Sequence, residues 1–567
     1  MANTFLLSPG VLTRENDQSF LTARPITVGA AIIGPTVKGP VEIPTIIRSY
    51  SDYQNRFGTT LISGSLNYTY FTSIAAYNYF QNGGDTLLVT RVVSESGNWV
   101  AATSSISGSD VADVVVLETI SEGVIMNSDG PTGSGGTLVS GSSDNVRWEI
   151  IGSDTGSGTF NLLIRRGDDT TNNKIVLESW TNVSLDPFSN NFISRIIGDY
   201  KFNYNSVNNQ VEVSGSYPNA SRYVRVKSVK ATPNYLDNNG VAKSEYTGSI
   251  PGISTGSFGG ATGTNIKANM NFYETINGTD SQGLTGASYD NMISLLANVD
   301  DYKFNVLLTP GLVDDYHASQ VTSIISNTQD RGDNIYVADL VGYNASITSV
   351  LGKAQAKNTS YAASYWPWVQ VVDPDTGKNV WVPTSAVIGG VYAFNDRVAE
   401  PWFAPAGINR GGLGTVIRAE RKLNSSQRDS LYLGKVNPIA TFPNTGIVVY
   451  GQKTLQTKPS ALDRVNVRRL LIALKSYIGQ VALNLVFEQN TVATRNNFLA
   501  QVNPYLESVQ QRQGLYAFRV IMNESNNTAD VIDRNELVGA IYLQPTKTAE
   551  FIYLDFNITP TGATFPS

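Results

Sequence analysis

Hydrophobic and polar residues are arranged in different patterns along the chain, and the first pattern is that of an α/β core. From Pro25, the β-branched run ITVGAAIIGP predicts a buried strand that ends at Gly34 and Pro35. SDYQNRFG and YFTSIAAYNYFQNGG predict two helices, the first ended by Gly58 and the second by the paired glycines, and TLLVTRVV predicts another buried strand. This order of strand, helix and strand indicates a βαβ unit with a parallel sheet.

The same alternation returns after a long interruption. The strand-like runs YKFNVLLTPG, NIYVADLVG and YWPWVQVVDP alternate with helical segments at 315–327 and 345–356. Between the two blocks, short β runs such as RWEIIG and NLLIRRG are separated by turns rich in Gly, Ser, Asn and Asp. We therefore expect one α/β domain that is interrupted by a β-rich insertion.

The last third of the chain has a helical period. Apolar residues recur at spacings of three and four in two segments, at Val467, Leu471, Leu474, Ile478, Val481 and Leu485, and at Phe498, Val502, Leu506 and Val509. The second helix contains Pro504 and ends at Gly514. Three strand-like runs follow, LYAFRVIM, ELVGAIYLQP and TAEFIYLDFNI, and both ends of the chain have the character of extended arms.

These patterns predict a multidomain protein of α/β and α+β class, and its 567 residues allow about three to four domains. The predicted parts are an N-terminal linking arm (1–22), the first part of the α/β core (23–94), the β-rich insertion (95–275), the second part of the core (276–420), a C-terminal domain of helices and a sheet (421–546), and a final strand and arm (547–567).

Composition excludes several classes of function. Only 16% of residues are charged and the formal net charge is -6, whereas a nucleic-acid binder needs a basic stripe. The chain has no cysteine and one histidine, His317, which removes disulfides, Cys-based zinc sites and most catalytic sets. We expect a structural role for His317 near the start of a helix with Asp314 or Asp315 close to the N-cap. No segment has the length of a signal sequence core or a membrane span, so we expect the protein to be made in the cytosol.

The remaining motifs point to no catalytic residue, cofactor or metal. GPTVKGP has the glycine spacing of a phosphate-binding loop, but Pro40 stands where lysine is required. Trp366 and Trp368 form either a platform for stacking on sugars or, as we favour, part of an interface between packed domains or subunits. A basic cluster, defined as Arg410, Arg418, Arg421 and Lys422, is either a solvated face or a contact to an acidic partner.

Several of these segments together resemble the contractile phage tail sheath protein family. SPGVLTRE is similar to the opening of these proteins, and GPTVKGPVEIPTIIRSYSDYQNRFG and YFQNGGDTLLVTRVV are similar to the segments that follow. VPTSAVIGGVYAFNDRVAEPWFAPAGI resembles a later block, and the chain from Asp463 onwards resembles the C-terminal domain. The resemblance covers about residues 8–97 and 292–558. Gly407 departs from the pattern because asparagine is usual there, and the insertion resembles no segment of the family.

The resemblance implies a structural protein of the virion tail, not an enzyme. Its copies would form six-fold rings or helical strands around a tail tube, and their contraction would drive the tube through the host envelope for genome delivery. The implied partners are further copies, the tail tube protein, and the baseplate and tail terminator proteins, with assembly in the host cytoplasm and no direct contact to nucleic acid or membrane. The sheath of a tailocin or other contractile injection system stays open as an alternative, as does a particle-bound carbohydrate-binding protein.

Two sets of residues are predicted to make contacts between molecules. Arm strands would add to the sheet of a neighbouring copy; the residues are Val11, Leu12, Thr13, Arg14, Phe551, Ile552, Tyr553 and Leu554. The two C-terminal helices are predicted to face the tube, with Arg495 or Arg512 among the contacts, while the insertion points outward.

Overall fold

The computed structural model describes residues 26–63, 66–95, 97–264 and 272–553. The predicted N-terminal arm at 1–22, with Val11, Leu12, Thr13 and Arg14, lies outside the described residues, and so does Leu554 with the rest of the C-terminal arm.

The first part of the core contains the predicted buried strands and helices. Its elements are β1 (Ile26–Gly34), β2 (Thr45–Ile47), α1 (Tyr50–Phe57), β3 (Thr60–Ser63), β4 (Leu66–Thr69), α2 (Phe71–Gln81) and β5 (Leu87–Arg91). Ser49 caps α1 by accepting a hydrogen bond from the Asp52 N–H, and Gly58 ends the helix at a φ of 68°. The predicted parallel pairing is confirmed, because Ile32 of β1 lies beside Val89 of β5 in a parallel ladder.

The insertion consists mostly of antiparallel strands. Its elements are β6 (Ala101–Ile106), β7 (Val115–Glu122), β8 (Asp129–Thr132), β9 (Thr137–Val139), β10 (Val146–Asp154), β11 (Thr159–Arg166), β12 (Val176–Ser184), α3 (Ile193–Ile197), β13 (Lys201–Asn205), β14 (Gln210–Ser214), β15 (Val224–Val229), α4 (Ser244–Thr247) and β16 (Ser254–Ser257). Trp148, Ile150, Phe160 and Leu162 belong to a hydrophobic cluster made of insertion residues. The insertion therefore has a core of its own.

The chain then returns to the main sheet. The elements are α5 (Phe272–Thr275), α6 (Asp290–Leu295), β17 (Tyr302–Val313), α7 (Ala318–Arg331), β18 (Ile335–Asp339), α8 (Ile347–Gln355), β19 (Ala362–Trp366), β20 (Val369–Val372), β21 (Asn379–Val382), α9 (Ser385–Val398), α10 (Gly407–Arg410), β22 (Val416–Ala419), α11 (Ser425–Leu433), β23 (Asn437–Phe442) and β24 (Gly446–Val449). Within the described chain, eight strands form one sheet in the order β2-β5-β1-β17-β18-β19-β23-β24. Both blocks of the predicted core thus share a sheet.

The main sheet continues beyond residue 420, where the sequence predicts a domain boundary. β23 lies parallel to β19, with Tyr365 beside Asn437, and β24 pairs antiparallel to β23. A boundary at 420 would cut this sheet. The hydrogen-bonded unit ends after β24, which places the change of structure near residue 455.

Helices cover both faces of the main sheet. Ala30 and Ile32 of β1 pack in a cluster with Ile74 of α2 and Ile388 of α9. The alternate residues Ala31 and Ile33 pack in a second cluster with residues of α6, α7 and α8. A parallel strand that is buried on both faces needs apolar residues at every position, and this explains the uninterrupted run in β1.

The C-terminal part consists of two long helices and a small sheet. Its elements are α12 (Val465–Leu483), α13 (Val492–Gln511), β25 (Leu515–Ile521), α14 (Ala529–Asp533) and β26 (Ala540–Pro545). The helical period predicted for α13 is confirmed, because Phe498, Val502, Leu506 and Val509 are all buried. They share a cluster with residues of α12, β25 and β26.

A buried cation joins the insertion to the core. The Arg91 side chain is 1% exposed and ends β5, and its Nη1 donates to the backbone oxygens of Gly39 (2.5 Å) and Glu122 (2.9 Å). Its guanidinium carbon lies 5.1 Å from the centroid of the Trp99 ring. The backbone N–H of Val41 donates to the Glu122 carboxylate at 3.1 Å. These contacts hold the first strands of the insertion against the edge of the main sheet.

Candidate assembly surfaces

The C-terminal segment, residues 546–553, is fastened to the rest of the chain at Glu550. Its Oε1 accepts hydrogen bonds from Arg464 Nε (2.7 Å) and Gln452 Nε2 (3.0 Å), and its Oε2 accepts from Arg464 Nη2 (2.8 Å) and from the Tyr432 hydroxyl. Burial alone would raise the pKa of Glu550, but the hydrogen bonds from these three side chains outweigh burial and lower it. Sequence analysis missed Glu550, because its partners lie between 86 and 118 residues earlier in the chain.

The three described residues that follow Glu550 are apolar and exposed. Phe551, Ile552 and Tyr553 have exposed fractions of 68%, 75% and 88%. The ring of Phe551 meets the Tyr432 ring edge-on at 6.5 Å. Exposed large apolar side chains in a run are typical of surfaces that bind another molecule.

The predicted third strand of the C-terminal sheet is absent from the described part of this segment. Residues 546–553 adopt no strand, whereas TAEFIYLDFNI predicts one. β26 ends at Pro545, and the Thr546 N–H still donates to Gly514 O at 3.2 Å, one position further along the same ladder. Period-2 alternation shows that a segment suits a strand, but a strand forms only where a partner lies beside it.

Among the described residues, the C-terminal sheet consists of two strands only. β25 and β26 pair with each other in antiparallel register, with Phe518 beside Leu543 and Val520 beside Ile541. Among the residues that the structure describes, no third strand pairs with either of them. A two-stranded sheet is marginal in water, and its unpaired N–H and C=O groups can accept a strand from another chain.

A groove of about 1120 Å³, lined by both apolar and polar side chains, lies between α12, α13 and α14. Its lining includes Ile478, Leu485, Phe498, Ile532 and Leu537. At its rim, in the loop that connects α12 to α13, Val486 is 56% exposed and Phe487 is fully exposed. This groove and loop form a second, partly apolar surface on the C-terminal part.

The structure places the two arginines of the tube prediction differently. Arg495 is buried, at 5% exposure, and its Nε donates to the backbone oxygen of Thr491 at 3.3 Å. Arg512 is exposed, and its Nη1 pairs with Glu400 at 2.5 Å while its guanidinium carbon lies 5.1 Å from the centroid of the Trp402 ring. Arg495 therefore offers little surface to a partner, and the structure does not bring the two residues together.

His317 has a local structural contact. It occupies the N-cap position of α7 itself, and its Nδ1 accepts a hydrogen bond from the Val313 N–H at 3.2 Å. Asp314 and Asp315 lie close to this N-cap, as predicted, and the Asp314 carboxylate pairs with Lys357 at 2.7 Å. Burial lowers the pKa of His317, so the buried ring favours its neutral form.

The tryptophans of WPWV do not form a surface platform. Trp366 and Trp368 are 1% and 3% exposed, and Trp368 Nε1 donates to the backbone oxygen of Val341 at 3.0 Å. The ring of Tyr343 meets that of Trp368 edge-on at 6.0 Å. These side chains fill the interior of the core, so the sugar-stacking interpretation of this motif is wrong.

The basic cluster is largely committed to contacts within the chain. Arg418 Nε donates to Gln370 Oε1 at 2.8 Å, and Arg421 pairs with Glu420 at 2.5 Å. Both guanidinium carbons lie 5.0 Å from a tryptophan ring centroid. Arg410 donates to the backbone oxygen of Ala404 at 3.1 Å, and Lys422 is exposed. Most of the cluster therefore packs rather than presenting free charge.

The described residues contain no candidate metal site and no helix suited to crossing a membrane. Residues 26–63, 66–95, 97–264 and 272–553 contain no group of three His, Cys, Asp or Glu side chains arranged to hold a metal ion. None of the helices in these ranges combines the length and the apolar character that a membrane crossing requires.

Comparison with known protein families gives two adjacent matches. Residues 283–455 match the phage tail sheath protein central domain, and residues 457–559 match the phage tail sheath C-terminal domain. The division between the two matches coincides with the end of the main sheet after β24.

Three curated tail sheath proteins are similar to parts of the chain. That of Vibrio phage KVP40 is 40% identical over 233 residues, which are 40% of this chain and 35% of that protein. That of Enterobacteria phage T4 is 38% identical over 229 residues, 40% of this chain and 35% of that protein. That of Salmonella phage ViI is 30% identical over 312 residues, 51% of this chain and 49% of that protein. The chain thus spans about a third to a half of the length of these relatives.

Two solved structures share the fold over nearly the whole chain. The crystal structure of a sheath tail protein from Listeria innocua has a TM-score of 0.54 and 12% identity, and the alignment covers 92% of this chain and 95% of that chain. The helical sheath of the anti-feeding prophage in its contracted state has a TM-score of 0.50 and 15% identity, with 98% and 99% coverage. At these identities the likeness concerns the fold alone.

Proposed function

We propose that the chain belongs to the phage tail sheath family, whose central and C-terminal domains residues 283–455 and 457–559 match, and that it is the structural subunit of a contractile phage tail sheath. On this proposal, copies of the chain polymerise around the tail tube and shorten to drive the tube through the host envelope for genome delivery. The protein is a component of the virion tail that assembles in the host cytoplasm, and it is structural rather than enzymatic.

The observation that carries the proposal is an exposed apolar stretch, residues 551–553, together with a sheet in which the described residues supply only two strands. Phe551, Ile552 and Tyr553 leave the body without a strand partner, and β25 and β26 together lack a third strand among the described residues. A strand from one copy added to the sheet of the next satisfies both. The N-terminal residues 11–14 and Leu554 belong to the same proposed linkage.

Such a joint suits a polymer that changes shape. A ladder of about five hydrogen bonds, each worth roughly 1 kcal/mol net, holds two copies together while the bodies rotate. Contraction then needs no nucleotide: the extended sheath is kinetically trapped, and new contacts between copies in the short state supply the work. The sum of small gains over many copies drives the tube.

The remaining partners follow from the same arrangement. The C-terminal helices α12 and α13 face the tube, with Arg512 among the contacts, and the exposed loop at Val486 and Phe487 extends that surface. The burial of Arg495 makes it a weaker candidate for such a contact. The insertion points outward, and the ends of the sheath contact the baseplate and the tail terminator.

Removal of residues 1–22 tests the linkage. We expect the truncated chain to lose the ability to form long hollow cylinders in negative-stain electron microscopy, because each copy lacks one strand of the joint. The thermal unfolding midpoint of the truncated chain is the control that separates lost assembly from lost folding. Cylinders of unchanged diameter and length from the truncated chain would contradict the proposal.

The sheath of a tailocin or other contractile injection system is the second candidate, and the fold shared with the anti-feeding prophage sheath favours it. The two candidates predict the same cylinders. They differ in the particle: a phage sheath is attached to a head that contains DNA, which electron microscopy of the native particle shows directly.

A further inference from the structure

Glu550 lies where three segments from two domains meet. Tyr432 is on α11, and Gln452 follows β24, so both belong to the segment that matches the central domain. Arg464 is the N-cap residue of α12 in the C-terminal domain. One carboxylate at the base of the C-terminal arm therefore bonds both domains at once.

The two bonded domains are also connected by backbone at this point. Lys453 forms a β-bridge with Arg464, and the Val465 N–H donates to Gln452 O at 2.8 Å. The Thr454 N–H donates to Asp463 O at 3.0 Å. These short contacts define the joint between the domains, residues 452–465, and Glu550 lies on it.

Glu550 also balances the charges of the joint. Lys453 Nζ and the guanidinium carbon of Arg464 lie 4.8 Å and 5.8 Å from the centroid of the Tyr432 ring, so two cations contact the same aromatic ring. Asp463 pairs with Arg464 Nη1 at 2.8 Å and supplies one negative charge. Without the Glu550 carboxylate, two adjacent cations would have one close carboxylate between them, and their repulsion would loosen the joint.

We propose that Glu550 couples the position of the C-terminal arm to the joint between the central and C-terminal domains. When the arm moves away from the two domains, the Glu550 carboxylate leaves the joint and the joint loosens. When the joint changes its angle, Arg464 moves away from Glu550 and the arm is released. Coupling of this kind is reciprocal by thermodynamic necessity. The inference rests on the proposed function for the identity of the arm's partner, a second copy of this chain, but the coupling itself is a property of the single chain.

Hydrogen exchange of the full-length, unassembled protein tests the coupling. Glu550→Gln keeps the size of the side chain and removes its charge, and we expect about tenfold faster exchange in peptides from 546–553 and also in peptides from 452–466, since a hydrogen-bonded charged pair holds both. Glu400→Gln is the matched control, because it removes the charged partner of Arg512 (2.5 Å) on the same part of the protein and should leave both peptides unchanged.

A second variant keeps the test valid if Glu550→Gln alters more than the joint. The charge exchange Glu550→Arg with Arg464→Glu should restore part of the protection in both peptides relative to Glu550→Arg alone. Faster exchange confined to 546–553, or faster exchange spread over the whole chain, would overturn the coupling. The measurement uses unassembled chains, so a protein that forms no cylinders can still show the coupling. The proposed sheath function and the proposed coupling can therefore be contradicted independently.

Discussion

Replacement of Asp169 by Asn is expected to lower the free energy of unfolding of the insertion by about 3–5 kcal/mol, the cost of breaking a buried ion pair. Asp169 accepts two hydrogen bonds from Arg165, at 2.7 and 2.8 Å, and one from the Ile175 N–H at 2.9 Å. Arg147 Nη1 lies 3.5 Å from the same carboxylate. The three charged side chains are at most 2% exposed. Loss of the carboxylate would leave two buried guanidinium groups with Glu149 as their nearest counter-charge.

The neighbouring residue provides the control for this prediction. Asp168 pairs with Arg166 at 2.5 Å, but these side chains are 34% and 35% exposed, so Asp168→Asn should cost less than about 1 kcal/mol. Hydrogen exchange in increasing urea, read from peptides of β10 and β11, reports on the insertion, because these strands supply its core. Equal losses in the free energy of unfolding for the two variants would contradict the prediction, because they would show that burial does not determine how much the Asp169 ion pairs stabilise the insertion.

Replacement of Asp339 by Asn is expected to remove a pH dependence from the stability of the core. Asp339 is buried at the end of β18, and its carboxylate accepts hydrogen bonds from Ser385 Oγ (2.5 Å), the Ser385 N–H (3.2 Å) and Thr384 Oγ1 (3.3 Å). Burial raises the pKa of Asp339 from 3.8 to about 7 despite these donors. The folded protein therefore holds a proton that the unfolded chain has lost, so this stabilisation is complete below pH 3.8 and is lost as the pH rises through 7.

The magnitude follows from the size of the shift. A rise of about three units corresponds to roughly 4 kcal/mol between low pH and pH 8, and the asparagine variant, which stays neutral, should lack this slope. Urea midpoints of both proteins from pH 4 to pH 8 measure the difference. The opposing contribution of buried His317, whose pKa is lowered, cancels in that difference because both proteins contain it. Parallel profiles for the two proteins would contradict the prediction.

Local patterns predicted the elements that local interactions determine. The apolar run in β1 was sufficient to predict a strand because that strand is buried on both faces. The helical period was sufficient to predict α13 because that helix buries one face. Contacts between distant segments were not accessible in the same way. The parallel partner of β23 and the three partners of Glu550 come from segments far away in the chain, and this is why the boundary at 420 was misplaced and the Glu550 site was missed.

The burial of Arg495 could have been anticipated from the same periodicity. Arg495 lies three residues before Phe498, so the helical spacing places both on one face, and both are buried. The expectation of a surface contact came from the charge of Arg495 alone. The third C-terminal strand is a different case. Its sequence suits a strand, but residues 546–553 pair with neither β25 nor β26 as a strand.

The order of the main sheet has a consequence for how this chain can change over time. β1 pairs with both β5 and β17, the strands on either side of the insertion. Because β1 precedes the insertion, it holds β5 and β17 in register whatever the insertion contains. The insertion strands β6 to β16 can therefore be lengthened, shortened or exchanged while the sheet keeps its pairing, whereas α6 must stay because it covers one face of the sheet. The position between β5 and β17 is therefore suited to the gain or exchange of an inserted domain, both in evolution and in protein engineering.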